Sequence, residues 1–229
     1  MKSSLRRKDK IFSAMKENYL QATEHLPVSF KSSHWDTFDR RFDRLFSQHH
    51  VWENMLRNQL TLGLNDNLIE ISNKRFSEKE DDFWRKLREG EIKELICEKR
   101  DSKNIKMDID HLKVIIAHTD VNFVIKNCIT DVGNPVTTKI KIDYKGESRL
   151  INYNVHDTGD LYHSWLILKH FDQYKNSNPI ICEIGGGYGG LAAKIKSNVK
   201  GAKIIMLDLP EVNAYQTFYL SRVFEGAEI

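Results

Sequence analysis

Through most of the first half of the chain, apolar side chains recur every three or four positions, the spacing that gathers them on one face of an α-helix. Ile11, Phe12, Met15, Tyr19 and Leu20 predict a helix from about residue 11 to residue 25. Ser33-His34-Trp35-Asp36 has the form of a capping box, a hydroxyl followed three positions later by an acid. Trp35, Phe38, Phe42, Leu45 and Phe46 then make an aromatic stripe that reads as core packing. A helix over Val51–Leu62 meets Gly63 at the expected C-terminal cap. Ser77-Glu78-Lys79-Glu80 repeats the capping-box form ahead of Phe83, Trp84 and Leu87. Helical spacing continues over Glu91–Arg100 and over His111–Asn127, with Leu112, Ile115, Ile116 and Phe123 facing inwards. Residues 1–128 therefore read as a mainly helical N-terminal region without internal repeats.

The period changes after residue 128. Asp131-Val132-Gly133-Asn134-Pro135 is a turn by composition. Ile140, Ile142 and Tyr144 alternate with polar residues, Lys145-Gly146 suits a hairpin turn, and Leu150-Ile151 leads to Tyr153. Residues 129–155 thus read as a β-hairpin connector. The polar loop from His156 to Asp160 supplies an N-cap for a helix carrying Leu161, Tyr162, Trp165, Leu166, Leu168 and Phe171. Ile180–Ile184 reads as a short buried strand, followed by Gly185, Gly186, Gly187, Gly189 and Gly190, and then by a helix over Leu191–Val199. Lys203–Leu207 reads as a second strand ending at Asp208, and Val212, Tyr215, Phe218, Tyr219, Val223 and Phe224 as a final helix. Residues 156–229 are a β-α-β-α succession behind one helix.

A strand, a glycine turn and a helix in that order form a nucleotide crevice. Glycines let backbone N–H groups approach a ligand closely, and the positive end of the helix faces the same turn. Two ligand classes use it. Gly185, Gly187 and Gly190 fit the dinucleotide spacing G-x-G-x-x-G, whereas Glu183, Gly185, Gly187 and Gly189 fit acidic-x-G-x-G-x-G. A carboxylate at Glu183 suits a cationic ligand and is a poor neighbour for a pyrophosphate. Asp208, at the end of the next strand, can accept both ribose hydroxyls of either cofactor.

The pattern with Glu183 resembles motif I of class I S-adenosylmethionine-dependent methyltransferases, and Asp208-Leu209-Pro210-Glu211-Val212 looks like the second-strand exit of many small-molecule O-methyltransferases. The run from Glu183 to Ala192, with Asp208–Val212 and Tyr219-Leu220, resembles the sugar O-methyltransferase family more closely. Members of that family are associated with the sugars of bacterial surface polysaccharides and some natural products. Gly133-Asn134-Pro135 is similar to the segment that precedes their cofactor domain. The resemblance implies an α/β, Rossmann-like class I methyltransferase fold, of which the first β-α-β-α portion is present, behind the helical region and hairpin. It implies S-adenosylmethionine as cofactor, with Glu183 at the methionine end, Gly185, Gly187 and Gly189 permitting close approach, Asp208 on the ribose and Leu209 against the adenine. The partner is then a small-molecule or glycan hydroxyl; Tyr162 and His163, on the helix before motif I, either approach the sulfonium or the substrate or are ordinary packing and surface residues. Two other classes stand beside this one: an NAD(P)-binding Rossmann oxidoreductase, which leaves Glu183 unexplained, and a non-catalytic remnant whose helical half is an interaction module.

Composition narrows the partners further. With a net charge of +3, 40% hydrophobic and 29% charged residues, the chain lacks the basic character of a nucleic-acid binder. Lys2, Arg6, Arg7, Lys8 and Lys10 form one basic cluster, expected to be a solvated, partly frayed terminus; with no apolar run behind it, it is not a signal peptide. No stretch reaches the length of a transmembrane segment. Cys97, Cys128 and Cys182 are widely spaced, which argues against a disulfide or zinc framework and for a reducing cytoplasm. Cys182 is expected to be a small buried hydrophobe. His49 and His50 point about 100° apart on a helix, so no metal site is expected there. A complete methyltransferase sheet would flank Ile180–Ile184 with strands on both sides. The sequence stops at Ile229 after the second, so the chain is expected to be the N-terminal part of a longer enzyme or the product of a truncated gene, its first strand showing an unpaired apolar edge. No residue is assigned as catalytic base.

Overall fold

The computed structural model describes residues 2–25, 46, 52–53, 55–56, 112–119, 121–135, 137–144, 147–154, 157–171 and 178–224. In chain order these hold α1 (Lys2–His25), α2 (112–118), α3 (Val121–Asn127), β1 (Thr137–Tyr144), β2 (Glu147–Asn154), α4 (Thr158–Phe171), β3 (Ile180–Ile184), α5 (Gly190–Asn198), β4 (Lys203–Leu207) and α6 (Pro210–Val223). The expected capping boxes at Ser33 and Ser77, the helix over Glu91–Arg100, the His49-His50 pair and Cys97 lie outside the described residues, as does most of the aromatic stripe. Two compact units are present, one of residues 1–53 with 174–229 and one of residues 54–173.

In the unit of residues 54–173, Leu112, Ile115 and Ile116 of α2, Val121 and Val124 of α3, Ile151 and Tyr153 of β2, and Leu161 of α4 form one buried cluster. The single helix expected over His111–Asn127 is two. Thr119 donates both its N–H (2.9 Å) and its Oγ1 hydroxyl (2.8 Å) to the Ile115 carbonyl, which closes α2 before α3 begins. β1 and β2 pair antiparallel from Thr137 opposite Asn154 to Tyr144 opposite Glu147; the expected turn at Lys145-Gly146 is outside the described residues. Asp157 stands where the N-cap of α4 is expected. Its carbonyl accepts the Leu161 N–H (2.8 Å), while its buried carboxylate accepts the Ile129 N–H (3.1 Å) and ties down the connector.

The other unit holds the β3-α5-β4-α6 succession, with α1 packed on α6. Phe12 of α1 meets Trp52 edge-on at 6.1 Å and Phe218 of α6 at 5.6 Å, and Trp52 lies 5.0 Å from Tyr215. Tyr19 and Phe46 extend this aromatic core, at 5.5 Å from one another. The basic cluster from Lys2 to Lys10 lies within α1, the helix that burial of Phe12, Met15 and Tyr19 holds further along.

β3 and β4 run parallel in register from Ile180 opposite Lys203 to Ile184 opposite Leu207. β3 is not the buried strand that its apolar sequence suggests. Ile180 is 68% and Ile184 80% exposed, with Cys182, Ile205 and Leu207 exposed on the same face. Ile181, Glu183, Ile204 and Met206 are half-buried on the other. α5 and α6 cover one face of the pair, so alternation along each strand divides covered from bare side chains. Cys182 is accordingly exposed, contrary to expectation. Among the described residues β3 pairs with β4 alone.

Candidate functional site

The register of the two strands sets the site. Ile184 lies opposite Leu207, and the Gly185 N–H extends the ladder by donating to the Leu207 carbonyl at 3.0 Å. The glycine turn and Asp208 therefore leave the sheet side by side, at the carboxyl ends of adjacent parallel strands, where ligands of open α/β sheets bind.

Within the turn, φ is positive at Gly185 (71°), Gly187 (56°) and Gly189 (93°). An L side chain is disfavoured in this left-handed region, so the every-other-residue spacing of the motif is a backbone requirement. The Gly189 N–H closes the turn on the Gly186 carbonyl at 3.0 Å, and Gly189 is the N-cap of α5, its carbonyl accepting the Ala193 N–H at 2.9 Å. The first N–H groups of α5 have no acceptor within the helix and point out of its N-terminus towards the turn.

Gly186 has a different reason to be glycine, one that sequence reasoning missed. A Cβ there would lie 2.8 Å from Glu183 Cδ and 2.9 Å from Met206 Cε. The Glu183 carboxyl thus sits directly against the Gly186 backbone and supports the turn from the helix-covered side of the sheet. The signal was present as an uninterrupted Gly185-Gly186-Gly187, longer than the motif requires. Tyr188 anchors the far side of the turn, its ring packing edge-on to Tyr219 of α6 at 4.9 Å.

Asp208 is held from three directions. Its Oδ1 accepts the Leu209 N–H at 2.9 Å and its Oδ2 accepts the Gln216 side-chain amide at 3.0 Å. Its carbonyl takes the Asn213 side-chain amide at 3.2 Å. Asn213 and Gln216 are three positions apart on one face of α6, and helical side chains lean towards the N-terminus, which brings both back to Asp208. Leu209 is the extended N-cap residue of α6 and is half-buried, with Pro210 opening the helix. Behind this corner a cavity of about 440 Å³ separates α5, β4 and α6, walled by Ala192, Met206, Gln216 and Leu220 among others; it lies on the helix-covered face of the sheet. Deeper in α6, burial and then the Glu211 carboxylate push the Tyr215 hydroxyl above the ordinary tyrosine range, so it stays protonated.

Glu183, Gly185, Gly187, Gly189, Asp208 and Leu209 thus all belong to one unit and to the ends of two adjacent strands. Tyr162 and His163 are exposed on α4, in the other unit, their rings 5.7 Å apart. Among the described residues no cluster of three or more His, Cys, Asp or Glu side chains is placed to hold a metal ion, and no helix is long and apolar enough to cross a membrane. Comparison of the chain with protein-family models, with curated proteins and with solved structures gave no match.

Proposed function

We propose that the chain carries the cofactor site of an S-adenosylmethionine-dependent O-methyltransferase with a Rossmann-like fold, acting on a sugar hydroxyl of a surface polysaccharide or natural-product glycan. One observation supports this reading above the others: a turn with three left-handed glycines, backed by the Glu183 carboxyl, emerges beside a fixed carboxylate at Asp208. The residues fit the group. Side chains at Gly185, Gly187 and Gly189 would disfavour the backbone that admits it, and a carboxylate accepts more hydrogen bonds than the two Asp208 receives, leaving lone pairs for ribose hydroxyls.

When bound, S-adenosylmethionine supplies a methyl group on a cationic sulfur, already a strong electrophile. Glu183 places negative charge beneath the turn, favourable to the cationic methionine end and unfavourable to a pyrophosphate. Asp208 orients the nucleoside, and Leu209, next in the chain, offers an apolar surface to the adenine. Holding the reacting partners in line supplies much of the rate in such a transfer. The sugar as acceptor rests on the family resemblance of Glu183–Ala192 and Asp208–Val212, and the cytoplasmic setting on the spacing of Cys97, Cys128 and Cys182.

Ligand binding to the folded state alone raises the thermal midpoint. S-adenosylhomocysteine, the demethylated product, is expected to raise that of the wild-type chain in a concentration-dependent manner. Asp208→Ala should reduce the shift, because losing charge-assisted hydrogen bonds to ribose costs about 1.5–3 kcal/mol, tenfold to more than a hundredfold in affinity. An equal shift in wild type and variant would remove Asp208 from the site.

A further inference from the structure

We infer that Gln216 is a positioning residue for the cofactor, aiming Asp208 at the ribose; this rests on the function proposed above. Gln216 lies two helical turns along α6 from Asp208, is 2% exposed, and donates its side-chain amide to Asp208 Oδ2 at 3.0 Å. The orientation of that amide follows from chemistry: a carboxylate oxygen accepts, so the NH2 end faces Asp208 and Oε1 faces away. Oε1 is buried and accepts no hydrogen bond among the described residues. A buried amide that leaves its own acceptor unsatisfied is an inefficient way to stabilise a helix. Among the described residues its side chain meets one hydrogen-bond partner, the carboxylate at the mouth of the crevice.

The geometry explains what the bond does. The Leu209 N–H holds Oδ1 and Gln216 holds Oδ2, so the two contacts fix rotation about the Asp208 side chain and turn its remaining lone pairs in one direction. Without Gln216 a single adjacent N–H would restrain the carboxylate, leaving it to reorient when ribose binds. Preorganisation of this kind shows in affinity only for ligands that contact the oriented group.

That selectivity is the test. Wild type, Gln216→Leu and Gln216→Glu are titrated by calorimetry with S-adenosylhomocysteine and with its 2′,3′-dideoxy counterpart, which lacks both ribose hydroxyls, and the thermal midpoint of each protein is measured. Wild type should prefer the hydroxylated ligand by about tenfold or more. Gln216→Leu should bind it about fivefold more weakly while binding the dideoxy ligand within about twofold of wild type. If Gln216→Leu does not fold, the near-isosteric Gln216→Glu, which sets a second carboxylate against Asp208, is read in the same way. Equal weakening of both ligands would mean a merely structural role and overturn the inference while leaving the proposed function standing, as would an unchanged preference. Wild type binding both ligands equally would overturn the ribose assignment of Asp208 and the inference with it. No binding of S-adenosylhomocysteine at all would overturn the proposed function as well.

Discussion

Neighbouring glycines in the turn are glycine for different reasons. Gly185, Gly187 and Gly189 are required by backbone conformation, Gly186 by the carboxyl lying against it. Gly186→Ala should therefore destabilise the fold by about 1–3 kcal/mol through overpacking. Combining it with Glu183→Ala should recover part of that loss, because the obstructing carboxyl is gone; urea unfolding of the single and double variants measures the coupling. Gly187→Ala should cost about 1–2 kcal/mol for its left-handed φ and gain nothing from Glu183→Ala. The alternating glycines and the two acids were legible in the sequence because spacing alone encodes them. Gln216 was not: it is distant in the chain, of a common type, and acquires its role only when α6 leans it back onto Asp208. Cys182 misled because an apolar neighbourhood in sequence says nothing of which face is covered.

At the scale of elements, α6 carries much of this unit. One side meets α1 and Trp52 through Phe218 and Tyr215, another fixes Asp208, and Tyr219 receives the glycine turn. Phe12→Ala should cost about 3–5 kcal/mol in chemical unfolding, as expected of a phenyl ring removed from a packed core. Tyr215 gives the unit a pH dependence. Burial raises its pKa in the folded state, so the folded chain retains a proton that the unfolded chain loses above about pH 10. Stability should fall as pH rises from there, and Tyr215→Phe should flatten that decline in urea titrations across alkaline pH. Helical spacing indicated α1 and α6 because apolar periodicity is a local property. It did not indicate the break at Thr119, where one hydroxyl closes a helix whose apolar pattern continues.

At the scale of the molecule, apolar runs such as Ile180–Ile184 resemble buried strands whether or not anything covers them, which is why sequence pointed to the strand and not to its bare face. Ile180, Ile184, Ile205 and Leu207 make an exposed apolar patch of the kind that promotes association. Replacing Ile184 and Leu207 by Ser should lower the binding of a hydrophobic dye and slow aggregation at high concentration, while each change leaves stability within about 0.5 kcal/mol. Larger destabilisation would mean that the face is covered in solution. The central claim, that the turn and Asp208 form a crevice for S-adenosylmethionine, is tested most directly by calorimetric titration of the wild-type chain with S-adenosylhomocysteine, using NAD as the control. Saturable binding of S-adenosylhomocysteine and none of NAD is the expected result. Binding of NAD, or of neither ligand, would contradict it.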